Sequence, residues 1–283
     1  MPGVSLEAIA QAICTTAGLS FQKKLGEGAF KEVFLVTSVK EPKALKIIKP
    51  GLATERTERE VEAMTRCRHR YIAALETVAE FTHSSGRYTY LIEEFIGGGT
   101  LDEALQKGPL PRDPILRLGS ALIEAVAHIG ANELVHRDIK PANILFRATT
   151  GDPVIVDFGL VRDLRQSSIT VTWQTCGPCT PLYASPEQLT NDKPIIGWRS
   201  DQFSLGVVLG FAALGMHPFA QPGDQPAQTV VRVERKEGPS AEFIQAAKTA
   251  GLPVLVRMVG NWPVERIRKS HDLMQEWQRQ GGL

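Results

Sequence analysis

The sequence predicts an α+β chain in two parts, a small strand-rich part followed by a larger helical one. Three observations carry this. Between Phe21 and Glu94, short apolar runs rich in β-branched and aromatic residues are separated by turn residues. Gly97-Gly98-Gly99 then interrupts the chain. Beyond the glycines, apolar residues recur at helical spacing and strand-like runs become few. At 283 residues the chain can build one large domain or two lobes with real cores.

Leu6, Ile9 and Ile13 recur at helical spacing, so residues 1–20 are expected to form a helical extension packed on the domain. This stretch has no basic n-region and a weak apolar run, unlike a signal peptide. Residues 21–96 form the strand-rich part. Phe21–Leu25 and Glu32–Val36 flank a glycine-containing turn and read as a hairpin. Ala44–Ile48 reads as a third strand. Thr54–Arg68 is highly charged with Val61 and Met64 on one side, the pattern of an exposed helix. Ile72–Thr82 and Arg87–Phe95 read as two more strands around Ser84-Ser85-Gly86. Residues 97–275 form the helical part, with helices over Leu101–Lys107 and Pro114–Asn132, and 276–283 is a tail. Leu205–Leu214 is too short to span a bilayer and suits a buried helix. Gln221–Gln228, with two prolines and a glycine, reads as a surface loop.

Composition narrows the partners. The chain is 43% hydrophobic and 22% charged, with 32 basic against 31 acidic residues and a net charge of +1. That balance gives no reason to expect nucleic acid or an anionic membrane. Four cysteines are too few for a disulfide framework at this length, and a cytoplasmic protein is expected.

The chemistry is concentrated between His136 and Gly159. His136-Arg137-Asp138-Ile139-Lys140-Pro141-Ala142-Asn143 is followed by Ile144-Leu145-Phe146, a turn, and Val154-Ile155-Val156-Asp157-Phe158-Gly159. Asp138 can accept a proton from a hydroxyl. Asn143 and Asp157 offer hard oxygen ligands suited to Mg2+. Lys140 places positive charge beside Asp138. Upstream, Gly26 and Gly28 lie in a turn where small residues let backbone N–H groups approach an anion; such a turn is equally an ordinary hairpin loop. Lys31, where a third glycine would fit, either adds charge to a phosphate or faces solvent. Lys46 lies in an apolar strand, and lysine is seldom buried without a partner. Glu60 is the candidate, with Glu55, Glu58 and Glu62 as competitors.

The ordered set Gly26-x-Gly28, Ala44-x-Lys46, His136-Arg137-Asp138-x-Lys140-x-x-Asn143 and Asp157-Phe158-Gly159 resembles a eukaryotic-type serine/threonine protein kinase domain, from about Leu25 to Leu273. The resemblance implies a bilobal fold, with a small antiparallel sheet lobe carrying one helix and a larger helical lobe. It implies ATP and Mg2+ as cofactors and a protein as substrate. Asp138 would orient and deprotonate the substrate hydroxyl, and Lys140 would steady the phosphoryl group. Asn143 and Asp157 would hold two Mg2+ ions. Lys46, held by Glu60, would contact the α- and β-phosphates. Val33, Ala44 and Leu145 would sandwich adenine, with backbone groups of Glu94 and Ile96 on its edge.

The likeness continues through Thr180-Pro181…Ser185-Pro186-Glu187, which resembles the end of an activation segment. Asp201 matches the acid tying a central helix to the catalytic loop. Glu187 would pair with an arginine near the C-terminus, Arg268 being preferred to Arg266. These three read as scaffold residues. Lys140 and Thr180 resemble serine/threonine rather than tyrosine kinases. Arg137 resembles kinases controlled by activation-loop phosphorylation, with Ser167, Ser168, Thr170, Thr172 and Thr175 as candidate sites for autophosphorylation.

Two departures stand out. Glu93 falls at the back of the expected nucleotide pocket, where the family usually has an apolar residue or threonine; a carboxylate there needs a partner or a raised pKa, unless the register is off by one. Cys176-Gly177-Pro178-Cys179 matches a redox motif but lacks the strand–helix context, leaving two thiols or a reversible bridge. The competing functions are a pseudokinase that binds partners without turnover and a small-molecule kinase. Lys46, Asp138 and Asp157 argue against the first, and the segment ending at Glu187 against the second.

Overall fold

The structure is a computed structural model that describes residues 4–28, 31–39, 41–49, 65, 67–157, 180–281 and the backbone of 162–163. Helix α1 (Leu6–Ala17) starts on Ser5, whose Oγ accepts from the Ala8 N–H, and ends on Gly18 at φ 68°. Strands β1 (Ser20–Glu27), β2 (Lys31–Ser38), β3 (Glu41–Ile48), β4 (Leu75–His83) and β5 (Gly86–Glu94) form one antiparallel sheet in the order β1-β2-β3-β5-β4. The strand expected from Ile72 begins at Leu75, because Ile72 instead bridges Ile155. The helix expected over Thr54–Arg68 lies almost wholly outside the described residues, and Glu60 with it.

The chain divides into two compact units, residues 1–68 with 73–96, and residues 69–72 with 97–283. In the first unit the ladder gives the sheet two chemically distinct faces. Residues directly opposite one another share a face. Phe34, Leu45 and Ile92 are aligned this way, as are Ile47 and Tyr90. This apolar face is covered by α1, whose Leu6, Ile9, Ala10, Ile13 and Cys14 join Phe34, Val36, Leu45, Ile47, Tyr88 and Ile92 in one core. The N-terminal helix is thus part of the unit's core. The opposite face carries Val33, Lys46 and Leu91 in one row and Leu35, Ala44 and Glu93 in the next.

The second unit is mainly helical. Helix α2 (Leu101–Leu105) is capped by a Thr100–Glu103 box. Helix α3 (Arg112–Ala131) is followed by β6 (Leu134–Val135), a single 3-10 turn at Pro141–Asn143, the hairpin β7 (Ile144–Phe146)–β8 (Pro153–Ile155), and β9 (Arg162–Asp163), which pairs with β6. Then come α4 (Pro186–Leu189), α5 (Trp198–Leu214), α6 (Pro226–Glu234), α7 (Ala241–Thr249), α8 (Val254–Met258) and α9 (Ser270–Gln280). Helix α3 has the length and hydropathy of a membrane span, but half of that window is buried inside this unit.

Helix α5 contains the expected Leu205–Leu214 run and is buried on nearly all sides. The loop expected over Gln221–Gln228 ends early: Pro226 opens α6, its fixed φ suiting a first helical position. The tail expected from 276 lies mostly within α9, where Trp277 is fully buried and donates its indole N–H to the Leu116 carbonyl. The glycine triplet is explained locally. Gly98 donates to the Phe146 carbonyl, and a Cβ on it would collide with that same oxygen; Gly99 sits at φ 82°.

Candidate active site

In the second unit, the loop after β6 gathers Asp138, Lys140, Asn143 and Thr180. The Asp138 carboxylate is ringed by four donors. Its Oδ1 accepts from the Thr180 backbone N–H at 3.1 Å and the Thr180 hydroxyl at 2.8 Å. Its Oδ2 accepts from Asn143 Nδ2 at 3.0 Å and pairs with Lys140 Nζ at 2.8 Å. Lys140 Nζ also donates to Thr180 Oγ1 at 2.8 Å, closing a ring of three side chains. Thr180 was legible only as a mark of kinase type; its direct contact with Asp138, 42 residues away, was not.

The loop is held from beneath. Asp201, in the first turn of α5, accepts the His136 N–H at 2.7 Å and the Arg137 N–H at 2.8 Å. Burial pushes its carboxyl up to about 7, against the pull of those two N–H donors. His136 is fully buried; its Nε2 meets the Val156 carbonyl and its Nδ1 accepts the Asp138 N–H, each at 3.3 Å. Burial holds this imidazole below its usual range. Gln188 of α4 donates to the Arg137 carbonyl at 2.8 Å. Arg137 and Asp157 both have left-handed backbone, at φ 72° and 71°. Non-glycine residues hold this geometry only where their surroundings enforce it, which is common at functional sites. The Val156 N–H bonded to the Asn143 carbonyl at 3.0 Å fixes the approach to Asp157.

The donor set fits a hard cation. Asn143 spends its amide nitrogen on the carbonyl and Oδ2 of Asp138, so its amide oxygen is its remaining acceptor. Asp157 adds a carboxylate. Among the described residues no cluster of three or more His, Cys, Asp or Glu side chains is placed to hold a metal. Leu145, the expected adenine contact of this unit, lies half-buried on β7 and bridges Thr100.

In the first unit, Val33, Ala44 and Lys46 lie on one face of the sheet. Gly26 has no neighbour within 4 Å of a built Cβ, so packing does not demand a glycine there. Lys31 is buried, which removes the solvent-facing alternative. Glu94 donates its N–H to the Ala74 carbonyl at 2.9 Å, and Ile96 is buried at the end of the unit. The partner that Lys46 has among the described residues is Glu93: Nζ to Oε2 is 2.6 Å, with both side chains buried. Glu93 thus has the local partner that a buried carboxylate needs.

A second expected pairing is corrected. Glu187 binds Arg266, not Arg268. Nη1 and Nη2 of Arg266 reach its two oxygens at 2.6 and 2.9 Å, with neither side chain exposed, while Arg268 is at the surface. Arg266 wins because its guanidinium also satisfies the Gly260 and Arg199 carbonyls. The activation-loop candidates Ser167, Ser168, Thr170, Thr172 and Thr175, and the Cys176–Cys179 motif, lie outside the described residues.

Comparison with known proteins identifies the family. The protein kinase domain model matches residues 19–275. The chain is 32% identical over 222 residues to serine/threonine-protein kinase PknB of Mycobacterium leprae, covering 75% of this chain and 35% of that protein. It is 33% identical over 226 residues to serine/threonine-protein kinase AfsK of Streptomyces coelicolor, covering 77% and 27%. To CBL-interacting serine/threonine-protein kinase 18 of Arabidopsis thaliana it is 34% identical over 208 residues, covering 70% and 38%. The matches thus span about a third of the length of these relatives. With the family model matched over residues 19–275, the chain belongs to the protein kinase domain family.

Proposed function

We propose that this chain transfers the γ-phosphoryl group of ATP, with Mg2+, to serine or threonine hydroxyls of a protein substrate. The observation that carries the reading is Asp138, whose carboxylate is fixed by donors from Thr180, Lys140 and Asn143. Bound ATP and Mg2+ would supply the phosphoryl group and its charge neutralisation. The rest is positioning, which dominates phosphoryl transfer. Asp138 would align a substrate hydroxyl and receive its proton, and Lys140 would hold positive charge beside the oxygens in transit. Asn143 and Asp157 would offer oxygens to the cation. Lys46 would bind phosphate oxygens, and the open space at Gly26 would let backbone come close to them. Val33, Ala44 and Leu145 would flank adenine, with Glu94 and Ile96 at its edge. We also place the protein in the cytoplasm, a reading supported by its sparse cysteines, of which Cys14 and Cys67 are buried.

Transfer of labelled phosphate from ATP and Mg2+ to serine- and threonine-containing peptides tests the reading. Wild type should transfer, and Asp138→Asn should lower kcat about 10²–10⁴-fold. Equal transfer by the two proteins, or none by wild type, overturns it.

A further inference from the structure

Lys46 has a partner that the family resemblance does not supply. We propose that Glu93 positions Lys46 for phosphoryl transfer, from within the sheet, in the role the resemblance gives to Glu60. The proposal rests on the kinase reading of Lys46.

The register brings the pair together. Lys46 lies opposite Leu91 and Ala44 lies opposite Glu93, so Lys46 and Glu93 are diagonal neighbours on one face. Diagonal positions are roughly 7–8 Å apart, within reach of two long side chains. The 2.6 Å contact shows that they close the gap. Burial makes the contact obligatory: the side chains are 7% and 2% exposed, and a buried charge left alone is strongly unfavourable. The stoichiometry leaves Lys46 able to work. An ammonium has three N–H donors, and the one bond to Glu93 Oε2 occupies one of them. The other oxygen, Oε1, is buried and makes no hydrogen bond, so the carboxylate is committed to Lys46.

The backbone argues for positioning rather than for a brake. Strands β3 and β5 are hydrogen-bonded neighbours, so Lys46 and Glu93 are carried on one rigid ladder. A brake needs an element that moves away from Lys46. A positioning group needs one that stays, and a carboxylate on the adjacent strand stays.

The test uses wild type, Glu93→Gln, Glu93→Asp and Glu60→Gln as full chains, with two readouts. The first is the rate at which Lys46 is acylated by acetic anhydride in the folded protein, followed by mass spectrometry; it needs no turnover. The second is kcat and KM for ATP. Glu93→Gln, which keeps shape and removes charge, should speed Lys46 acylation several-fold. It should lower kcat about 10²-fold, the scale of a misplaced catalytic group, with a smaller change in KM. Glu93→Asp should recover part of kcat.

Unchanged acylation and kcat in Glu93→Gln overturn the proposal. So does a rise in kcat, which would make the pair a brake, or acylation that responds more to Glu60→Gln than to Glu93→Gln. If the Gln variant does not fold, Glu93→Asp decides, because a carboxylate drawn back by one methylene must lower kcat more than it raises KM; an unchanged kcat overturns the proposal. A wild type that transfers no phosphate defeats the kinase reading, while acylation still identifies the partner of Lys46.

Discussion

Glu187 and Glu93 are both carboxylates with almost no exposed surface, and each faces a cation. Around Glu187 every oxygen is occupied. Arg266 reaches both in a fork, the Ser200 hydroxyl adds a 2.7 Å bond to Oε1, and the guanidinium is itself saturated by carbonyls and lies over the Phe203 ring. Around Glu93 there is one bond, from a lysine, and one bare oxygen. The residue types differ accordingly. Arginine offers five donors in a fixed fork, and lysine a point charge on a flexible stem. A closed pair has nothing left to give a ligand and serves the fold. An open pair keeps donors in hand, which is what a binding group needs.

The comparison can be broken most directly at Arg266. Arg266→Ala strands a buried carboxylate and should cost about 3–5 kcal/mol. Urea unfolding followed by tryptophan emission reads this, since all four tryptophans lie beyond Gly97. A loss under about 1 kcal/mol, the scale of an exposed pair, would deny that the closed pair staples its unit.

The next effect, in pH, separates the closed pair from its neighbours. Burial alone would raise the Glu187 carboxyl, but Arg266 and Ser200 overcome it and hold it below the usual range. Its contribution is present above the ordinary carboxylate pKa and is lost only below it. His217 behaves otherwise. Burial lowers it to about 4, against the pull of its bond to the Leu182 carbonyl. The unfolded chain takes up that proton near pH 6.5 and the folded chain does not, so stability falls as pH drops from 6.5 toward 4. Asp201, raised to about 7, has the opposite slope over much of that range. The difference between His217→Gln and wild type cancels the Asp201 contribution. It should move in favour of the variant by about 2–3 kcal/mol between pH 7 and 4.5, at about 1.4 kcal/mol per pH unit. A flat difference would remove His217 as the source.

The smallest effect sharpens the open side. Replacing both members of a buried pair by apolar residues is often neutral or stabilising. Lys46→Met with Glu93→Met should therefore change stability by about 1 kcal/mol or less, while activity is lost. The same double replacement at Glu187 and Arg266 should stay destabilising, because Ser200 and the Gly260 and Arg199 carbonyls lose their partner. Equal outcomes at the two pairs would erase the distinction between them.

How much of this was legible in the sequence depends on distance along the chain. Asp138, Lys140 and Asn143 fall within six residues, and their local pattern announces them. Short apolar runs between turn residues likewise marked the sheet, because both signals are local. Lys46 was seen to need a partner and Glu93 to be out of place, yet the two stayed separate. Joining them requires the pairing of strands 47 residues apart, and register is set by the assembled sheet. Arg266 and Arg268 have the same charge two positions apart. Only the carbonyls of Arg199 and Gly260, brought close by folding, distinguish them.

The family match begins at residue 19, immediately after α1. Anyone cutting the chain at that border, or grafting it between relatives, would remove a helix on which an entire sheet face depends. Ile9 and Ala10 have no exposed surface and Ile13 almost none. Without them Phe34, Val36, Leu45 and Ile47 would form a contiguous wet apolar patch, the kind that drives chains together. For expression, truncation or domain exchange, the practical start of this domain is Ser5.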